Sequence, residues 1–123
     1  MKIQLDTIAG KRALYIAAEC VSLLDSKQKD YGPGNISRFG TKGLSVRLYD
    51  KVERLANLLM DKEESPKHES LEDTFKDIAN YGLIGLMLLR GEWPSEEQLE
   101  FDTFCGIIEP ETQVEVTTEK DNV

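Results

Sequence analysis

Apolar residues recur at helical spacing along most of this chain, and no convincing strand pattern competes with them. Four helices are predicted. The first runs from about Thr7 to Lys29, capped by Asp6 or Thr7, with Leu14, Ala18 and Val21 as its stripe. It stops at Lys29-Asp30-Tyr31-Gly32-Pro33-Gly34-Asn35, where Gly and Pro cannot continue a helix. The second runs from about Thr41 to Lys62, with Leu44, Leu48, Val52, Leu55 and Leu59 on one face. The third starts after Ser65-Pro66 or at Ser70-Leu71-Glu72-Asp73 and ends before Gly91. Its stripe is Leu71, Phe75, Ile78, Gly82, Leu86 and Leu89.

The second half of that third helix is apolar nearly all round, which predicts a central helix or a dimer face. Gly82 and Gly85 would let a neighbouring helix approach. Ser95-Glu96-Glu97-Gln98 reads as a capping box that opens a short fourth helix to about Cys105. Short links between four helices predict an all-α, antiparallel four-helix bundle over residues 1–106. Residues 107–123 then form an acidic tail, read as flexible, with a short strand at Gln113–Thr117 as the alternative.

Composition narrows the function classes. The chain has 123 residues, 40% hydrophobic and 31% charged, as an ordinary globular domain has. Its longest apolar stretch, Tyr81 to Leu89, falls well short of the roughly 20 residues a membrane helix needs. The start carries no apolar signal segment, and two cysteines are too few for a disulfide scaffold. The expectation is a cytoplasmic protein with reduced thiols.

The net charge of −8 is unevenly spread: residues 1–91 carry +1 and residues 92–123 carry −9. A chain with this balance has no basic stripe for duplex nucleic acid, so direct duplex binding is not expected. A small phosphorylated ligand, which meets only a pocket, remains compatible with it.

Polar positions on the second and third helices supply the candidate chemistry. At about 100° per residue, Arg47, Asp50, Lys51, Arg54 and Asn57 share one sector, with Glu53 at its margin. On the third helix Asp73, Asp77 and Asn80 share a stripe that continues into Tyr81, Ile84 and Leu88. Asp77 and Asn80 are therefore expected to point into the bundle or a cleft. Carboxylates on facing helices are how bundles hold Mg²⁺, which keeps waters and leaves room for phosphates. Lys and Arg beside them would hold those phosphates. The plainer alternative is a solvated face in which Asp50 and Arg54 are an i,i+4 ion pair.

Three elements in order carry a resemblance. They are Lys29-Asp30-Tyr31-Gly32 with Asn35 and Phe39-Gly40, then Val46-Arg47-Leu48-Tyr49-Asp50-Lys51-Val52-Glu53-Arg54-Leu55-Ala56-Asn57, then Glu69-Ser70-Leu71-Glu72-Asp73-Thr74-Phe75-Lys76-Asp77-Ile78-Ala79-Asn80-Tyr81. Over about residues 15–92 the chain resembles the nucleotide-modification-associated domain, type one, a helical family widespread in phages. That family is similar to the all-helical MazG-type nucleotide pyrophosphohydrolases, whose ExxE and ExxD motifs bind Mg²⁺.

The resemblance implies a MazG-like bundle in phage nucleotide metabolism that uses Mg²⁺, with Mn²⁺ as a substitute. It would cleave nucleoside or deoxynucleoside triphosphates to monophosphate and pyrophosphate. Asp50, Glu53, Asp73 and Asp77 would be the metal ligands, and Asp77 and Glu53 the catalytic residues. Lys51 and Arg54 would neutralise phosphate charge, with Arg47, Asn57 and Asn80 completing the substrate site. The 29–35 loop would reach over the ligand: Tyr31 by stacking, Asn35 by hydrogen bonds, Lys29 to a phosphate. The chain departs from the pattern at Thr74, which stands where Glu is expected, with Asp73 one residue earlier. A non-catalytic nucleotide binder that sequesters or delivers its ligand therefore stands beside the hydrolase. An interaction module whose polar stripe is only ion pairs is the third reading.

The remaining residues are read as structural. His68 is a surface residue, Cys20 and Cys105 are packing residues, and Trp93 plugs the end of the bundle. Glu19 is a surface residue rather than a further metal ligand. The apolar Leu83–Leu89 segment predicts a homo-oligomer, a dimer or higher, that covers it.

Overall fold

The computed structural model describes residues 2–60, 68–94 and 115–117. The fold is all-α, with helices α1 (Ile8–Tyr31), α2 (Gly34–Ser37), α3 (Gly40–Met60) and α4 (His68–Arg90). A short parallel pair, β1 (Lys2–Gln4) and β2 (Glu115–Thr117), joins the two ends of the described chain. Its register sets Lys2 opposite Glu115, Ile3 opposite Val116 and Gln4 opposite Thr117. The strand given above as the alternative for 113–117 is thus present over its last three residues. The fourth helix expected at 95–105, Cys105 and the rest of the tail lie outside the described residues.

Local signals set the helix ends. Thr7 caps α1: its backbone is extended and its hydroxyl oxygen accepts from the Gly10 N–H at 3.0 Å. α4 ends as the sequence predicts, at Gly91, whose φ of 68° is cheap only for glycine. There the Glu92 N–H donates to Met87 O at 2.8 Å and the Gly91 N–H to Leu88 O at 3.3 Å. The one-turn helix α2 was not expected. It follows Pro33, whose carbonyl accepts the Ile36 and Ser37 amides and also the indole N–H of Trp93 at 3.1 Å.

Helix α4 is central, packing against both α1 and α3, as expected of the third helix. The core is built around Ile36, Leu44 and Ile84, with Leu24, Tyr81, Met87, Leu88 and Trp93 packed against them. Trp93 thus fills the end of the helical unit, as its position beside Pro94 suggested.

Several expected stripes are not the buried ones. Of the α1 stripe, Ala18 and Val21 are exposed and Leu14 only partly covered; Cys20 is the buried position. On α3, Leu44 is buried but Val52 and Leu59 are exposed. On α4, Phe75, Leu86 and Leu89 are exposed, while Thr74, Asn80 and Ile84 are buried. The polar-to-apolar stripe through Asp77, Asn80, Tyr81, Ile84 and Leu88 is the one that faces inward. The reason is that α2 and α3 cover that side of α4. Gly85 lets α3 come close, since a Cβ there would stand 3.3 Å from a Leu44 methyl. Gly82 faces open space among the described residues.

Candidate functional site

A cleft of about 430 Å³ opens where the end of α1, α2, α3 and α4 meet. Helical spacing delivers its side chains in pairs. Lys27 and Tyr31 are one turn apart on α1, and Arg47 and Lys51 one turn apart on α3. Asp77, Asn80 and Ile84 follow one face of α4, and α2 contributes Asn35 and Ile36. Ile36, Asn80 and Ile84 are buried and form its inner end. Tyr31 and Lys27 stand exposed at its rim. Arg47 fixes α2 to the wall: its guanidinium donates to the Asn35 carbonyl at 2.9 Å.

Asp77 is the electrostatic centre. Its two oxygens face two ammonium groups, Lys27 at 2.8 Å and Lys51 at 2.9 Å. Its side chain is only 16% exposed, against 28% for Lys51 and 48% for Lys27. Burial by itself would raise the Asp77 carboxyl above the usual range. The hydrogen bonds from Lys27 and Lys51, helped by their charge, outweigh burial and hold it below 3.8. The hydrogen bond to Asp77 in turn raises Lys27 above its usual 10.5, against a smaller opposing effect of burial.

Three cations, Lys27, Arg47 and Lys51, therefore line a cleft that holds one carboxylate, Asp77. Each ammonium keeps two further N–H donors, and the guanidinium four, after the bonds just described. That is a cleft with spare positive charge and spare donors, suited to an anionic ligand.

Asn80 is the most buried polar group beside Thr74, at 6% exposure. Its amide nitrogen donates to the Cys20 carbonyl of α1 at 2.9 Å, while its Oδ1 is buried without a partner. Asn35 Oδ1 is likewise buried and unpartnered. Thr74 is satisfied locally, its hydroxyl donating to Ser70 O at 2.7 Å.

The structure brings five of the expected substrate residues into this cleft: Tyr31, Asn35, Arg47, Lys51 and Asn80, together with Asp77. Asp50, Glu53, Arg54 and Asn57 line a more open groove along α3 that shares Arg47, Lys51 and Tyr81 with the cleft. Lys29 does not join them. It lies 3.4 Å from Asp25 on the exposed side of α1 and lines a separate hollow near Pro33 and Trp93. Two residues on from Lys27, it is rotated about 200° away. Lys27 itself was missed. Its signal was its place in the sector of Cys20, Leu24 and Tyr31, which packs on α4. Glu19 is exposed and 3.7 Å from Lys76, and His68 is exposed and 3.7 Å from Glu72, in keeping with the surface roles expected of both.

A Mg²⁺ site would have to be built from Asp50, Glu53, Asp73 and Asp77. Mg²⁺ needs several oxygen donors converging on one point. Asp50, Glu53 and Asp73 are exposed, and both oxygens of Asp77 are taken by lysines. Among the described residues no group of three or more His, Cys, Asp or Glu stands where it could hold a metal ion. The donor set Asp50, Glu53, Asp73 and Asp77 therefore does not fit a Mg²⁺ site in this arrangement. Spacing within a helix put each pair on one face; it carried no information on the lysines of α1 and α3 that pair with Asp77.

No helix among the described residues is long and apolar enough to cross a membrane. No curated protein and no solved structure matches the chain. The family model described as nucleotide modification associated domain 1 matches residues 27–89, just over half of the sequence, from Lys27 at the rim of the cleft to the last turn of α4. With every charged and amide residue of the cleft inside that span, the chain belongs to the family of nucleotide modification associated domain 1.

Proposed function

We propose that this protein binds a nucleotide in the cleft between α1, α2, α3 and α4, and that binding rather than metal-dependent hydrolysis is its basal activity. One observation carries the reading: three cations, Lys27, Arg47 and Lys51, line a cleft whose one carboxylate, Asp77, is paired with two of them, and the cleft also holds tyrosines and asparagines. The cations receive phosphate oxygens, and Tyr31 and Tyr81 offer aromatic faces beside them. Family membership supports a role in nucleotide metabolism. The volume of about 430 Å³ falls within the range of small-molecule sites.

Asp77 holds the two lysines side by side until the ligand arrives. A pyrophosphohydrolase of the MazG type would instead need Asp77 free to hold Mg²⁺, which requires Lys27 and Lys51 to leave it. Self-association belongs to the same reading, since Tyr15, Phe75 and Leu89 are large apolar side chains left exposed. Light scattering across a concentration series reads it directly.

The test uses a panel of nucleoside and deoxynucleoside triphosphates, with EDTA, Mg²⁺ or Mn²⁺. Titration calorimetry follows binding, and ion-exchange chromatography follows the nucleotide. The binder takes up a nucleotide in EDTA and leaves it intact in all conditions. In Asp77→Ala, which removes the competing carboxylate, affinity for inorganic pyrophosphate is kept or increased. Lys51→Ala lowers it. Monophosphate and pyrophosphate produced only with metal, and lost in Asp77→Ala, would establish the hydrolase in its place.

A further inference from the structure

The inner end of the cleft has a polarity of its own. The Asn80 amide is not free to rotate end for end. Its partner, the Cys20 carbonyl, can only accept, so the group 2.9 Å away must be the nitrogen. The oxygen is thereby turned away from α1, buried and unpartnered. Asn35, whose backbone is pinned by Arg47, leaves a second buried side-chain oxygen without a partner, and both residues line the same cleft. A buried acceptor without a donor is costly, and native proteins rarely leave one. Here two share the cleft with the apolar side chains of Leu24, Ile36 and Ile84 and with the cations Lys27, Arg47 and Lys51.

On the basis of the nucleotide reading above, we propose that Asn80 Oδ1 and Asn35 Oδ1 are the base-selecting groups of the site, accepting hydrogen bonds from N–H groups on the edge of the bound nucleobase. The ligand class is then a nucleotide whose base carries an amino or ring N–H donor. Its phosphates lie against Lys27, Lys51 and Arg47, and its planar ring lies between apolar walls. Selection works through gain: a base with N–H donors satisfies acceptors that are buried and unpaired in the free protein, whereas a base without them leaves that cost standing and binds more weakly. Arg47 serves as a positioning residue, because its bond to the Asn35 carbonyl fixes the backbone that carries that side chain.

The experiment compares natural deoxynucleoside triphosphates with analogues that keep sugar and phosphates but lack base N–H donors. Purine deoxyriboside triphosphate replaces the purines and N3-methylthymidine triphosphate replaces thymidine triphosphate. Inorganic pyrophosphate is the anion-only probe, and all titrations are run in EDTA on the full chain. At least one natural nucleotide should bind about tenfold or more tightly than its donor-free analogue. Asn35→Ala should shrink that ratio towards one and leave pyrophosphate affinity unchanged. Asn80→Leu should do the same, and if it does not fold, Asn35→Ala and the analogue series decide alone. Equal binding of natural and donor-free nucleotides overturns the base-selection proposal and leaves the nucleotide site standing, with water or the sugar on the two acceptors. Failure of all nucleotides and of pyrophosphate to bind overturns the nucleotide reading and the proposal with it.

Discussion

Two ion pairs tie α1 to α4, and they involve neighbouring residues of α4: Lys27 with Asp77 at 2.8 Å, and Glu19 with Lys76 at 3.7 Å. Lys76 and Asp77 differ by one position and so by about 100° around the helix. That rotation puts them in different surroundings. Asp77 faces the cleft, is 16% exposed and has a second cation, Lys51. Glu19 is 64% exposed and lines an outer groove among Ile16, Cys20, Phe75 and Ala79. The first pair lies where water is scarce and a second ammonium competes; the second lies where water screens it. The contrast teaches that being charged and paired marks no site. The candidate site is where a pair is shielded, has donors to spare and adjoins unpartnered acceptors.

The largest test of this contrast is Asn80→Asp, on the cleft side. A carboxylate there would face the Cys20 carbonyl from a buried position, losing the 2.9 Å bond and adding an unpaired charge. The expected cost is about 3 kcal/mol or more, read from the urea midpoint. A cost near zero would mean that water reaches Asn80.

Asp77→Ala comes next. It leaves Lys27 and Lys51 facing each other without their shared partner. A loss of about 1–3 kcal/mol in chemical denaturation is expected, moderated because Lys27 is half in water. The pH dependence sharpens the point. Asp77 is held below 3.8, so its contribution is fully present above that value and is lost as the pH falls through the lowered one. Lys27 is raised above 10.5, so its contribution is fully present below that value and is lost as the pH rises through the raised one. The stability difference between the native chain and Asp77→Asn should therefore be flat across neutral pH and shrink at both extremes. A difference that varied between pH ~5 and ~9 would contradict that assignment.

Gly82→Ala tests the outer side of α4. With nothing within 4 Å of the added Cβ, helix propensity alone acts, and a gain of roughly 0.5–1 kcal/mol is expected. A loss instead, growing with protein concentration, would place a second copy against this face. The smallest effect is expected from Glu19→Ala, under about 0.5 kcal/mol, because the pair it breaks is long and exposed. A larger cost, in a thermal melt, would erase the distinction between the two pairs.

The limits of the helices were legible because they depend on local chemistry. Thr7 caps α1 and Gly91 ends α4 because cap bonds and positive φ are satisfied within a few residues. The family motifs were legible too, and the matched span confirms them. The inward-facing stripe of Asp77, Asn80, Tyr81 and Ile84 was readable, since a polar run passing into an apolar one on a single face predicts a cleft wall. The choice of apolar stripe on α1 and α4 was not readable. Each helix offers more apolar positions than its partners cover, and periodicity alone does not rank them.

By itself, then, the sequence determined that this chain is helical, where α1 begins and α4 stops, and to which family it belongs. It also determined that Asp77 and Asn80 share an inward face. Only the tertiary structure decided that Lys27, rather than Lys29, stands beside Asp77, and that two ammonium groups occupy the carboxylate expected to hold a metal. It alone showed that the Asn80 oxygen lacks a partner while its nitrogen has one. The physical reason is range. Helix periodicity and caps act over three or four residues, whereas Lys27 meets Asp77 across 50 positions of chain and Asn80 meets Cys20 across 60. Contacts of that span depend on how the helices are rotated and packed, which the period of a single helix does not encode.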